Sequence, residues 1–229
     1  EFRRVLFRST FLDSSTNAFA ITRNGNTTQG TFTPFSAGAG YWGNYFNIAT
    51  LDYIQFASSA DFAVGSVFTF EAWVYPTGSP NNDIIFINES INGIQIGWNG
   101  TSSWGLCNNG VAWRLTSTTL PKTNAWNHVV VVRSGTGTNQ TSLFLNGVQV
   151  ANGTVSDAFT TSGAGRTGSY ASYGFTGYVS NLRLVKGSAV YDPSALAIAV
   201  PTAPLTAVTN TVLLTCQANR FLEIGRAHV

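Results

Sequence analysis

The chain has 229 residues, 44% hydrophobic and only 10% charged, with 23 Gly, 16 Phe, 8 Tyr and 6 Trp and a formal net charge of +2. A chain this apolar and aromatic is neither disordered nor a polyelectrolyte, and no run of about 18 apolar residues would cross a membrane as a helix. The small positive charge excludes little until its source is located.

Its source is the two ends. Glu223 to Val229 can be encoded by DNA whose reverse complement, in another frame, reads Arg4 to Ser9. Translated sequencing-adapter DNA produces such an inverted repeat, so residues 1–9 and 223–229 are read as adapter and residues 10–222 as one domain. Removing Arg3, Arg4, Arg8 and Arg226 takes Lys+Arg from 12 to 8, removing Glu1 and Glu223 takes Asp+Glu from 10 to 8, and the net charge becomes zero. The basic cluster expected of a nucleic-acid or anionic-membrane binder is then missing.

In chain order, Ala18 to Thr22 and Gly30 to Phe35 read as short strands around the turn Asn24-Gly25. Two more lie between Tyr41 and Phe56, where Leu51 and Tyr53 followed by Ile54 and Phe56 predict a bulge or burial on both faces near Tyr53. Phe68 to Pro76 alternates with period 2, setting Phe68, Phe70, Ala72 and Val74 against Thr69, Glu71, Trp73 and Tyr75. Both faces are heavy, which predicts a strand in mid-sheet. Six Asn-Gly pairs, at Asn24, Asn92, Asn99, Asn109, Asn146 and Asn152, suit type I′ hairpin turns, whose two central residues need positive φ.

Ile94, Ile96 and Trp98, then Trp104 and Leu106, then Val111, Trp113 and Leu115 mark three short strands. Three tryptophans so spaced could form a sugar-stacking platform, but each shares its face with Ile, Leu or Val, as core rings do. Trp126 to Arg133 is a continuous apolar run, a strand buried on both faces, in which His128 reads as a hydrogen-bonded structural residue. Leu143 to Val150 is a hairpin turning at Asn146-Gly147. Gly163 to Gly174 reads as an exposed loop carrying Arg166, Tyr170 and Tyr173. Phe175 to Val185 closes a sheet with Val179, Asn181, Arg183 and Val185 on one face; Ser188 to Asp192 is expected to form one helical turn and Thr211 to Thr215 a last strand. About a dozen short strands mean a sandwich or barrel. Cys107 and Cys216, without a C-x-x-C spacing, point to buried thiols or one disulfide rather than a zinc or redox site.

Four blocks then resemble the laminin-G-like, concanavalin A-like lectin/glucanase family: Phe68 to Pro76, Trp126 to Val129, Leu143 to Gly147, and Phe175 to Arg183, all inside residues 41–186. The resemblance implies an all-β, two-sheet antiparallel jelly-roll sandwich. Its flanks are similar to variants repeated in structural proteins of marine phages and their bacterial hosts. Phe221-Leu222-Glu223 echoes Phe11-Leu12-Asp13, as though one repeat of a tandem array ran into the next.

Catalytic relatives with this fold carry E-x-D-x-x-E on one strand to flank a sugar bond. That spacing is missing here, and the resemblance implies no enzyme. Glu71, with no carboxylate partner, is instead expected to pair across strands with Arg183. The family can hold one Ca²⁺ at the sandwich rim, which makes Asp52 the candidate ligand, although Asn47 and Asn181 stand where relatives often carry Asp. The function implied is a non-catalytic module that binds a glycan or cell-surface polysaccharide on a virion or bacterial surface, beside other repeats of its own chain. Trp98, Tyr170 and Tyr173 would stack on the sugar and Arg166 would hydrogen-bond it. The alternative is a structural spacer without a small-molecule ligand.

Overall fold

A computed structural model describes residues 6–35 and 42–224. Residues 1–5, 36–41 and 225–229, which include most of the end segments read as adapter and the Tyr41 start of an expected strand, lie outside the described residues. The strands run β1 (Leu6–Phe11), β2 (Ile21–Asn24), β3 (Thr28–Gly30), β4 (Gly43–Phe46), β5 (Tyr53–Ser59), β6 (Phe68–Pro76), β7 (Ile84–Asn88), β8 (Ile94–Asn99) and β9 (Ser103–Asn108). They continue as β10 (Ala112–Ser117), β11 (Asn127–Arg133), β12 (Thr141–Leu145), β13 (Val148–Gly153), β14 (Gly163–Tyr170), β15 (Tyr173–Gly174), β16 (Gly177–Lys186), β17 (Thr211–Thr215) and β18 (Asn219–Ile224). All pairings between these strands are antiparallel, and they build two eight-stranded sheets and a β1–β18 pair.

One sheet, here the groove sheet, has the order β10-β9-β8-β7-β14-β5-β2, with β15 beside β14. The other, the seam sheet, has the order β13-β12-β11-β6-β16-β4-β3, with β17 beside β16. β6 lies mid-sheet between β11 and β16. Its Phe68, Phe70, Ala72 and Val74 face the core, where they meet Ile54, Phe56, Phe86, Ile94, Ile96 and Leu106 from the groove sheet. Each fully buried Val, Leu, Ile or Phe side chain among them contributes about 1.5–3 kcal/mol, which is what presses the two sheets together.

The local sequence rules hold in some places and yield in others. Of the six Asn-Gly pairs, only Asn146-Gly147 has positive φ at both residues, 50° and 83°, as a type I′ turn requires. Bulges re-aim two strands. At Asn181, with φ 52°, the register of β16 slips, so Val179 and Leu182 both enter the core while Arg183 stays opposite Glu71 on the outer face. A second bulge lies between Trp113 and Leu115.

The expected Gly163 to Gly174 loop is a correction. Most of it is strand β14, mid-sheet between β7 and β5. Its glycines are there for close packing: a Cβ on Gly165 would lie 2.9 Å from the Phe62 ring and 3.1 Å from Phe56. The expected helical turn at Ser188 to Asp192 is irregular chain, part of a strap over the seam sheet. Leu51 is exposed at φ 52°, and regular alternation in β5 begins only at Tyr53. Cys107 and Cys216 are both free and buried.

Candidate functional site

Because side chains alternate along each strand, one row of residues crosses the outer face of the groove sheet. In register it runs Thr22, Gln55, Arg166, Ile87, Gln95, Cys107 and Trp113. Toward β10 this face opens into a groove of about 350 Å³, with Trp113 at one end, Tyr170 and Tyr173 at the other, and Ile84, Gln95 and Asn109 between. Its lining includes neither Asp, Glu, Lys, Arg nor His. The Gln95 amide and the Trp113 indole N–H have no hydrogen-bond partner among the described residues. Cys107 also lines the groove; burial pushes its thiol up to about 11, so at neutral pH it is an inert thiol.

The expected site residues fall in different places. Tyr173, 49% exposed, and the half-buried Tyr170 face each other in register across the β14–β15 hairpin and line the groove. Trp98 corrects the expectation of an exposed stacking edge. It borders the groove, but it is 0% exposed and its ring stacks on Phe175 in the core at 5.8 Å. Trp104 is likewise in the core, with Nε1 donating to the Thr119 carbonyl at 2.9 Å.

The third tryptophan, Trp113, which its shared face with Val111 and Leu115 predicts as a core ring, lines the groove instead. Its alternation with Val111 and Leu115 aims all three the same way, but the bulge pairs Trp113 with Cys107 on the outer face and Leu115 with Leu106 on the inner. Arg166 is a brace and does not line the groove. Its Nε donates to Glu89 Oε1 at 2.6 Å, and its guanidinium lies 3.9 Å from the Tyr53 ring centroid and 5.2 Å from that of Tyr170. Stacked and paired in this way, it holds Tyr170 from behind.

Asp52 is almost wholly buried, and both of its oxygens are engaged. Oδ1 accepts from the Asn26 N–H at 2.6 Å and the Thr50 hydroxyl at 2.8 Å, and Oδ2 accepts from the Asn47 N–H at 3.1 Å. A Ca²⁺ ion wants six to eight oxygens turned toward it, whereas this carboxylate is surrounded by N–H and O–H donors. Among the described residues no three His, Cys, Asp or Glu side chains gather to hold a metal. The residues therefore do not fit the ion; Asp52 organises a turn.

The outer face of the seam sheet holds the molecule's main charge cluster. Arg183 Nε donates to Glu71 Oε1 at 2.9 Å, Tyr191 Oη donates to Oε2 at 2.8 Å, and His128 Nε2 lies 3.2 Å from Oε2. Burial alone would raise the Glu71 pKa, but His128, Arg183 and Tyr191 together hold it below the ordinary carboxylate value. The strap seals this cluster. Ser142 Oγ and Gln149 Nε2 donate to the Pro193 carbonyl, and the Ile198 N–H donates to the Gly147 carbonyl at 2.8 Å. The same face carries a ring cluster in which Phe32 meets Tyr75 and Tyr178 edge-to-face, with centroids 4.9 and 4.8 Å apart.

Two stacked antiparallel sheets, with an open ring-and-amide groove on one and a sealed ion cluster on the other, define a lectin-like sandwich. The chain belongs to the Concanavalin A-like lectin/glucanases superfamily, whose family model matches residues 49–189. Its fold is similar to domain 4 of AbnA, an extracellular arabinanase of Geobacillus stearothermophilus solved in complex with arabinotriose. The TM-score is 0.57 at 18% identity, covering 81% of this chain and 96% of that one. It is also similar to a heptameric SAP-like pentraxin of Limulus polyphemus (TM-score 0.50, 11% identity, 86% and 92% covered). A third similar structure is the binding domain of botulinum neurotoxin DC in complex with rat synaptotagmin II (0.57, 11%, 80% and 48%). Nothing among the curated proteins matches the chain. Among the described residues no helix is long and apolar enough to cross a membrane.

Proposed function

We propose that the chain is a non-catalytic carbohydrate-binding module that grips a glycan in the groove of the groove sheet. The observation that carries this reading is the lining itself: Trp113, Tyr170 and Tyr173 beside the unpartnered amide of Gln95. A sugar ring offers C–H faces to aromatic rings and a girdle of hydroxyls to amides, and this groove offers both partners. Hydrolysis of a glycoside would need two carboxyl groups about 5–10 Å apart across the bond. No carboxylate lines the groove, and Glu71 is sealed beneath Tyr191 on the opposite sheet. The arabinotriose held by the similar AbnA domain supports the same class of ligand.

Display on a bacterial or virion surface, as one repeat (residues 10–222) of a longer chain, is the setting we propose for it. The test is a glycan array probed with the full chain, with and without calcium, followed by calorimetry on the strongest hit. The expected result is binding that Trp113→Ala and Tyr173→Ala each weaken; no binding under either condition at high protein concentration overturns it. The spacer reading draws on one observation, that Trp98 and Trp104 are spent in the core. It predicts that same blank array.

A further inference from the structure

A second concavity, also about 350 Å³, lies behind the groove and shares a wall with it. Consecutive residues alternate between the two: Asn82 and Ile84 line the groove, while Asn81 and Asp83 line the second hollow. In the β14–β15 hairpin Tyr170 and Tyr173 line the groove, and Ser172 and Gly174 line the hollow. The partition is thus one strand entry and one hairpin thick, with the exposed Tyr173 ring on it.

The hollow differs in chemistry from the groove. Ser79, Asn81, Ser172 and Thr176 bring hydroxyls and amides, Ile48 brings an apolar wall, and Asp83 brings the single charged group. None of the other lining residues titrates. Asp83 is only 7% exposed; its Oδ1 accepts from the Asn81 N–H at 3.0 Å, the Thr176 N–H also donates to its carboxylate, and among the described residues it has no cationic partner.

We propose that the hollow is a second subsite for the same ligand: a neutral oligosaccharide stacked in the groove crosses Tyr173 and donates hydroxyl hydrogen bonds to the Asp83 carboxylate. This rests on the reading of the groove as a glycan site. Carboxylates suit vicinal hydroxyls because they are acceptor-only, and burial strengthens each bond. An acidic sugar would meet Asp83 as a like charge and an Arg166 already paired to Glu89, so the ligand is an uncharged chain. Burial pushes the Asp83 pKa up to about 6. The raised value follows from burial outweighing the two backbone hydrogen bonds, so above it the carboxylate is an ionised acceptor facing the hollow.

The experiment is calorimetric titration of the full chain with ladders of neutral arabino- and gluco-oligosaccharides, from the disaccharide upward, at pH 5 and pH 8. Affinity is expected to climb with chain length at pH 8. Asp83→Asn should remove about tenfold of that gain, the worth of one charge-assisted hydrogen bond, while leaving disaccharide affinity unchanged. Lowering the pH to 5 should do the same to the parent chain. Retention of the full length gain in Asp83→Asn, or a gain insensitive to pH, overturns the second subsite and leaves the groove standing. Failure of every oligosaccharide to bind overturns both.

Discussion

On the outer face of the seam sheet a carboxylate, a guanidinium, an imidazole and a phenol meet under a strap of chain. On the outer face of the groove sheet, rings and amides line an open groove with no charge among them. The two faces belong to one sandwich and share one core. Where titratable groups are concentrated the protein has closed the face, and where it stays open the surface suits a neutral, ring-shaped ligand. Two of the buried carboxylates sharpen the contrast. Glu71 has cationic partners and is held below its ordinary pKa, whereas Asp83, beside the open face, has only backbone N–H donors from Asn81 and Thr176, and burial pushes it up to about 6.

The hardest test of this division is to break the closed face. Arg183→Met leaves Glu71 buried with its main cationic partner gone, and denaturant unfolding should show a loss of about 3–5 kcal/mol. The paired variant Glu71→Leu/Arg183→Met should recover most of it, since the cost lies in the orphaned charge. A loss below about 1 kcal/mol from Arg183→Met alone would show that the cluster is not closed to water. The same logic fixes the acid limb. A carboxylate held below its ordinary value stabilises the fold above that value, and the contribution drains away as pH falls through the folded pKa. Unfolding on acidification from about pH 4.5 downward should therefore weaken when Glu71 is replaced.

Asp83 carries the opposite sign. Its folded pKa is raised, so its contribution favours the fold below the ordinary carboxylate value and is lost as pH rises through about 6. Asp83→Asn should accordingly stabilise the protein by roughly 2 kcal/mol at pH 8, with the gain vanishing near pH 4. Thermal melts of both proteins across that range would show it; a destabilised variant at pH 8 would mean Asp83 is a structural linchpin. A smaller effect is expected from Tyr191→Phe, which removes the strap's hydrogen bond to Glu71 Oε2 at a cost of about 1 kcal/mol. Amide exchange should then quicken in the strap and leave the groove sheet unchanged.

Much of the closed face was legible in the sequence, and less of the open one. The family resemblance sets the strands of Glu71 and Arg183 side by side, and the structure has the two residues opposite each other in register. Alternation joins Arg183 to Val179 on one face, and the bulge at Asn181 separates them by sending Val179 into the core. The continuous apolar run around His128 announced a strand covered on both sides, and all of β11 is buried. The groove depended on features that alternation does not encode. A bulge turns Trp113 outward while its sequence pattern says inward. β14 is a glycine-rich strand because Phe56 and Phe62 crowd it, and composition alone reads such a stretch as a loop. The role of Arg166 was set by Glu89, a residue distant in sequence that nothing local links to it. Trp98 failed as a site residue because its face, shared with Ile94 and Ile96, was the core face after all.

The smallest expected stability change decides most about function. Trp113 sits half-buried on β10, the edge strand of the groove sheet, and its indole N–H has no partner to lose. Trp113→Ala should leave unfolding stability within about 1 kcal/mol of the parent, as surface replacements do. If the groove binds sugar, the same change removes one of its three aromatic surfaces and should cost about tenfold in affinity, because rigid aromatic anchors carry a disproportionate share of binding energy. Trp98→Phe is the matched control: it should cost stability through lost packing against Phe175 while changing affinity little. If the two variants instead changed stability and binding in step, the groove and the core would be one energetic unit, and the division between an open face that recognises and a closed one that holds would fail.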